Sequence, residues 1–359
     1  MLTAIQRKIP YIYIFKGDTQ TMRFQKSAAI TAGLLSIALL LSGCSSDKLA
    51  SSKEESTPVM KVNEYDVPYE LYRYVAMNYK NQYEAGLDET AAAEIWLGDS
   101  GKVLLAELET DTIDTIRRLY ATLSMAAEYN LTPDSALINE NVATRMDEIY
   151  ESYENDTDAY LESLEPYYMN DNVYRFLTQD QVLTEELFYA MLNDGTILSE
   201  EESLRDLIES DSFIRIKQIL IASDNGNSPD ENLAKAKEIH TQLKNGADFE
   251  TLLDQYGEDL YMFNNSDGYY IIRGNRYEAF EDAAFALEIG EYSDIVETEA
   301  GYSILMRYEK DAKYINTHFD ELCQEYFDSA YNALLQEHLT TLTVEKLPAL
   351  ENYTIFNMD

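Results

Sequence analysis

Phe280-Glu281-Asp282-Ala283-Ala284-Phe285-Ala286-Leu287-Glu288-Ile289-Gly290-Glu291 is the stretch on which the reading of this chain turns. It lies in a short helix, Tyr277 to Leu287, which Gly290 closes. Phe285 and Leu287 read as core, and Phe280 is open between core and the wall of a pocket. Just upstream, Tyr269–Ile272 is an apolar strand. Downstream, Ile295–Glu297 and Ser303–Tyr308 are paired strands joined by a turn at Ala300-Gly301. Further back, Phe213–Ala222 is Ile-rich and partly alternating, a strand. Asn232–Asn245 is an amphipathic helix with Leu233, Ala236, Ile239 and Leu243 inward, ended by Gly246. Asp248 caps a helix carrying Phe249, Leu252, Leu253 and Tyr256. Gly257–Gly268 reads as a polar loop. These elements make one compact α+β unit over 211–310.

Helix surrounds this unit on both sides. Val59-Met60-Lys61-Val62 is a short strand, Asn63-Glu64 turns the chain, and Pro68 opens a helix at its first position. Leu71, Tyr74, Val75 and Tyr79 share a face. A second helix, from about Gly101 to Tyr129, carries a stripe of Ile113, Ile116, Tyr120, Leu123 and Ala127. Helices follow near 135–152, 158–164 and 172–192, the last with Val173, Phe176, Leu183 and Leu187 on one face. Ser199 with Glu202 fits a capping box for one more, ending near Ser210. After Lys310, Phe319, Leu322, Cys323, Tyr326, Phe327, Ala330 and Leu334 form a stripe that Pro348 stops. The fold class is α+β: the 211–310 unit is inserted between a helical lobe, 58–210, and a C-terminal helix, 311–359. That helix is expected to fold back and complete the lobe.

The N-terminus reads as a leader, 1–43, with Met22 as its natural start. Arg23 and Lys26 precede an apolar run, Ala28 to Leu41, of about 14 residues, too short for a membrane span and suited to a secretory signal. Leu41-Ser42-Gly43-Cys44 resembles a bacterial lipobox, which implies cleavage before Cys44 and lipid on its sulfur. The alternative is an ordinary signal peptide with an incidental Cys. Residues 44–57, rich in Ser, Lys and Glu, read as a flexible tether.

Composition excludes several functions. With 66 acidic against 27 basic residues the net charge is −39, so the chain does not bind nucleic acid through its phosphates. Anionic lipid repels it too, and membrane association must come from the anchor. Apolar residues make up 45%, enough to build cores. With Cys44 lipidated, Cys323 stands alone and no internal disulfide forms. Asp224-Asn225-Gly226-Asn227 lacks the glycine position and closing Glu of a calcium loop. There is no phosphate-cradling Gly loop, no Cys/His metal spacing and no nucleophile elbow, so no cofactor or metal is expected.

The α+β unit resembles a parvulin-type peptidyl-prolyl isomerase domain over about 213–310. The phrases that carry this are Ile216-Lys217-Gln218-Ile219-Leu220-Ile221, Asn245-Gly246-Ala247-Asp248-Phe249, the Phe280–Glu291 stretch and Gly301-Tyr302-Ser303-Ile304-Leu305. The flanking arrangement is similar to the PrsA and SurA foldases, exported chaperones whose helices surround such a domain. Val62-Asn63-Glu64 before a helix is like their opening.

The resemblance implies site residues, with departures. Parvulins carry two facing histidines, where this chain has Gln218 and Ser303; His240, His318 and His338 lie elsewhere. Asp259 stands where parvulins place Asp or Cys, and Thr298 where they place a polar partner. Phe280 matches the pocket Phe, with Tyr270 or Ile271 as the further apolar wall. Arg276 falls on the pocket Met. Isomerisation needs no covalent bond, only relief of an amide barrier of about 18–20 kcal/mol. Missing histidines are therefore not fatal, whereas a charge at the proline pocket costs desolvation unless paired. The expectation is a foldase for newly exported, unfolded polypeptides, anchored extracytoplasmically, with isomerase activity weak or lost. A non-catalytic holdase is the alternative, and its 29 tyrosines suit promiscuous contacts. A solute-binding lipoprotein is the third reading, disfavoured because 68–210 is helical.

Overall fold

The computed structural model describes residues 56–358. The leader, Cys44 and the tether up to residue 55 lie outside the described residues. The chain divides into two units, one built from Gly195–Ala333 and the other from the described residues before it together with those from Leu334 onward. The α+β unit is thus an insert in a mostly helical one. The division falls inside the last helix, at Ala333/Leu334, rather than near Lys310.

In the helical unit, β1 (Pro58–Val62) and β2 (Tyr65–Pro68) form an antiparallel hairpin. Asn63 turns it with φ of 50°, a conformation Asn tolerates. The second strand is not legible beforehand, and Pro68 closes it as the N-cap residue of α1 (Tyr69–Tyr83) instead of sitting inside that helix. α2 (Glu89–Glu94) follows, capped by Asp88. α3 (Gly98–Glu128), α4 (Ala136–Ser152), α5 (Thr157–Leu164) and α6 (Asp171–Asp194) complete the helical part. Ile116, Tyr120 and Leu123 of the α3 stripe are buried, as are Val173, Phe176, Leu183 and Leu187 of α6. α6 also buries Thr178, Gln179, Asp180 and Thr184, so its buried surface extends well beyond a single apolar stripe.

In the inserted unit, α7 (Glu201–Glu209) begins after Glu200, whose side chain makes no cap hydrogen bond, so the expected Ser199/Glu202 box does not form. The capping box is at Ser228 and Glu231, opening α8 (Pro229–Lys244) with Pro229 in its first turn. The sheet order is β4-β3-β6-β5, all antiparallel. Its strands are β3 (Ile214–Ala222), β4 (Tyr269–Ile271), β5 (Val296–Thr298) and β6 (Gly301–Tyr308). Alternation splits β3 between two cores. Ile219 and Ile221 pack with α8 and α9 (Phe249–Tyr256) through Ile239, Leu243, Phe249 and Leu252. Ile214 and Ile216 pack on the other face with α11 (Glu278–Ala286) through Phe280 and Ala284. Leu287 is buried there, whereas Phe285 is only partly buried and has the Arg273 guanidinium 4.7 Å from its ring centre. The expected polar loop 257–268 contains a helix, α10 (Leu260–Asn264).

α12 (Ala312–Thr317) and α13 (Phe319–Leu339) follow, the latter spanning the division between the units. β7 (Val344–Lys346) then pairs with β1, giving the order β2-β1-β7. The helical unit therefore joins both ends of the described chain in one sheet.

Candidate functional site

The site begins with an unpaired strand edge. β6 accompanies β3 from Arg215 to Ala222, but β4 pairs only with 214–216. Buried backbone groups along the rest of that edge need partners. The segment after α9 supplies them: Glu258 N–H donates to Leu220 O at 3.0 Å, and Glu258 Oε2 accepts from Ala222 N–H at 2.7 Å. This lays Asp259 beside Gln218. On the other side, the register Gln218↔Leu305 and Leu220↔Ser303 places Ser303 diagonally next to Gln218 on the same face.

The three side chains meet. Gln218 Nε2 donates to Asp259 Oδ2 at 2.6 Å, and Ser303 Oγ donates to Gln218 Oε1 at 3.0 Å. Tyr269 OH donates to the same Asp259 oxygen at 2.8 Å, and Asp259 Oδ1 accepts from Tyr261 N–H at 2.9 Å as the cap of α10. Gln218, Asp259 and Ser303 are buried, so each bond substitutes for lost water. A carboxylate accepts only, which orients the amide with its nitrogen toward Asp259 and its oxygen toward Ser303. Burial first, then the neighbouring Asp259, pushes the Tyr269 hydroxyl far up, so it stays a donor. Burial and the nearby Tyr314 push Tyr261 up to about 12. Thr298 ends β5 opposite Gly301, while Val296 faces Ser303; the network closes without Thr298.

The expected proline wall is divided. Phe280 and Ile271 lie in one core with Ile216 and Leu305, and Phe280 is 7% exposed. Tyr270 points to the opposite face, where its ring stacks on Tyr314 at 4.4 Å and its hydroxyl accepts from Asp311 N–H at 2.8 Å. Arg276 forms an ion pair with Glu325 of α13, and its guanidinium sits 5.5 Å from the ring centre of Tyr269. The Tyr269 ring also stacks against Tyr261, with ring centres 4.4 Å apart. The Arg276 backbone is held as well. Buried Glu281 accepts N–H donors from Gly274, Asn275 and Arg276 at 2.9–3.0 Å. Ser329 Oγ donates to Arg273 O at 2.5 Å, and Asn275 Nδ2 to Glu325 O at 2.7 Å.

Sequence reasoning missed Tyr269, Glu281 and Glu325. The period of two held a signal for Tyr269, since it shares its strand face with Ile271 while Tyr270 cannot. Nothing local marks Glu325 as a partner of residue 276. Among the described residues no group of His, Cys, Asp and Glu is arranged to hold a metal ion.

Residues 218–310 match the PPIC-type PPIase domain of the rotamase family, so the chain carries a parvulin-type domain. It is 25% identical over 285 residues to the foldase protein PrsA of Caldanaerobacter subterraneus subsp. tengcongensis, covering 78% of this chain and 82% of that one. It is 39% identical over 80 residues to PrsA of Bacillus subtilis, covering 22% of this chain and 27% of that protein. The crystal structure of the peptidylprolyl isomerase PrsA from Bacillus anthracis aligns with 63% of this chain and 96% of its own, at 22% identity and a TM-score of 0.35.

Proposed function

We propose that this protein is an extracytoplasmic foldase, lipid-anchored through Cys44, which holds unfolded exported polypeptides and whose parvulin-type site isomerises prolyl bonds weakly or not at all. The observation that carries the second half is the state of the pocket. Phe280 is nearly fully buried, and Arg276, neutralised by Glu325, lies over Tyr269 beside the network. A pocket that favours the twisted, less polar amide needs exposed apolar surface for the proline ring. Here a charged pair and a tyrosine occupy that position. The Gln218–Asp259–Ser303 network keeps the polar floor that the resemblance implies, with an amide and a hydroxyl in place of two imidazoles.

The chaperone half rests on the similarity to PrsA along most of the chain and on the insert architecture. The anchor rests on the lipobox-like Leu41-Ser42-Gly43-Cys44. No helix among the described residues is long and apolar enough to cross a membrane. A multi-chain lipid on Cys44 would tether stably where a single acyl chain would not.

One experiment separates foldase from holdase. Cis/trans exchange of a short Xaa-Pro peptide is followed by NMR with the full protein, beside suppression of client aggregation. Ordinary parvulin rates overturn the weak-site reading. Absent acceleration with suppressed aggregation makes the protein a holdase on a parvulin scaffold. Absence of both removes the foldase assignment. Metabolic labelling with palmitate tests the anchor, with Cys44→Ser as the control that must lose the label.

A further inference from the structure

α10 exposes more apolar surface than its length warrants. Leu260 is 71% exposed, Tyr261 42% and Phe263 65%, while only Met262 packs on the α8–α9 core. Scattered apolar residues on a surface are ordinary; several together mark an interaction site. Beside them opens a cleft of about 190 Å³, lined by Leu253, Met262 and Phe263 together with Lys217, Glu250, Asp254 and Asp259. Its cation, Lys217, is already paired with Glu250 at 2.7 Å. The lining sets three carboxylates against one lysine, and Asp254 stands exposed at its rim, in a chain of net charge −39.

We infer that α10 and this cleft form a docking surface for an unfolded polypeptide segment in which a bulky apolar residue is flanked by lysine or arginine. The apolar side chain covers Leu260 and Phe263, and the cations meet the acidic rim. The inference rests on the client-holding reading above and extends it, because recognition here requires no proline. Charge complementarity selects this occupant: an acidic segment would be repelled and a neutral one would lose the steering.

The test is fluorescence anisotropy of the full protein with proline-free peptides that share a Leu-Phe-Leu core flanked by lysines, by serines or by glutamates. The lysine-flanked peptide should bind tightest, by about tenfold or more over the glutamate-flanked one, and weaken as salt rises. Phe263→Ser and Leu260→Ser should each weaken it by about tenfold, since either removes most of one buried apolar side chain. Both residues are exposed, so the variants keep their fold. Ile289→Ser, which alters an apolar residue 61% exposed elsewhere, should change nothing. Equal binding of all three peptides, or unchanged binding by Phe263→Ser, overturns the inference. So does a dimer in sedimentation velocity that Phe263→Ser dissolves, which would assign the surface to a second copy of the chain. If aggregation suppression survives while the peptide pattern fails, only this inference falls. If the pattern holds without suppression, the surface stands and the foldase reading falls.

Discussion

Ser303 Oγ lies 3.0 Å from Gln218 Oε1, although 85 residues separate them, and the same amide reaches Asp259 41 residues away at 2.6 Å. One side chain thus joins two strands and a covering segment. Replacing it strands two buried partners at once. Gln218→Leu should cost about 1–3 kcal/mol, the penalty for leaving buried polar groups unmade, read as a lower urea midpoint at unchanged slope. A loss below experimental error would show that the network carries no stability.

The proposed weakness of the site can be tested at the Arg276–Glu325 pair. Both side chains are 22% exposed, so Arg276→Met alone should destabilise by no more than about 1 kcal/mol, with Glu325 left uncompensated. The double variant Arg276→Met with Glu325→Gln removes the charge from the pocket without leaving its partner behind. Its rate in the prolyl exchange assay should exceed that of the unaltered protein. An unchanged rate would mean that burial of Phe280, rather than the charge, limits the site.

Asp180 is fully enclosed in α6, and one carboxylate oxygen has no partner. Burial pushes its carboxyl up to about 8, with a hydrogen bond from Thr122 opposing. In the unfolded chain it titrates at about 4. The folded state therefore holds the proton more tightly. The stability this contributes is fully present below about pH 4 and is lost as pH rises through about 8. Asp180→Asn keeps the shape and removes the titration. It should match the unaltered protein near pH 4 and exceed it by a few kcal/mol near pH 8, as measured by denaturation at each pH. Parallel curves would show that Asp180 is not the titrating group.

Gly301 closes the β5–β6 hairpin with φ of 129°, and a Cβ there would stand 2.1 Å from Ile221 O on the neighbouring strand. Gly301→Ala meets both backbone strain and a clash that no side-chain rotation relieves. It should lower stability by about 3 kcal/mol or more, with loss of the Ser303 contact two residues on. A melting temperature within a degree or two of the parent would contradict the placement of this turn.

The inserted unit was largely readable because its signals are local. The Phe280–Glu291 stretch closes at a glycine, the Ile-rich strand runs from Ile214 to Ala222, and Asp248 caps α9. Family resemblance then marked Gln218, Asp259 and Ser303, and folding brings them within hydrogen-bond distance. The misses have physical causes too. β7 is a three-residue segment, Val344-Glu345-Lys346, which is a strand only because β1 lies beside it. α10 was hidden by its polar neighbours. The Ser199–Glu202 pair had the spacing of a cap, but the helix starts one residue too late to use it.

Periodicity, capping and turn chemistry act over a few residues, so the sequence by itself determined most of the elements and the insert, while the candidate polar floor came from family resemblance. Contacts across a fold depend on register and on which faces meet, and neither is written in any local stretch. Only the tertiary structure brought Glu325 to Arg276 across 49 residues and Tyr269 onto Asp259, because each contact depends on which elements pack together.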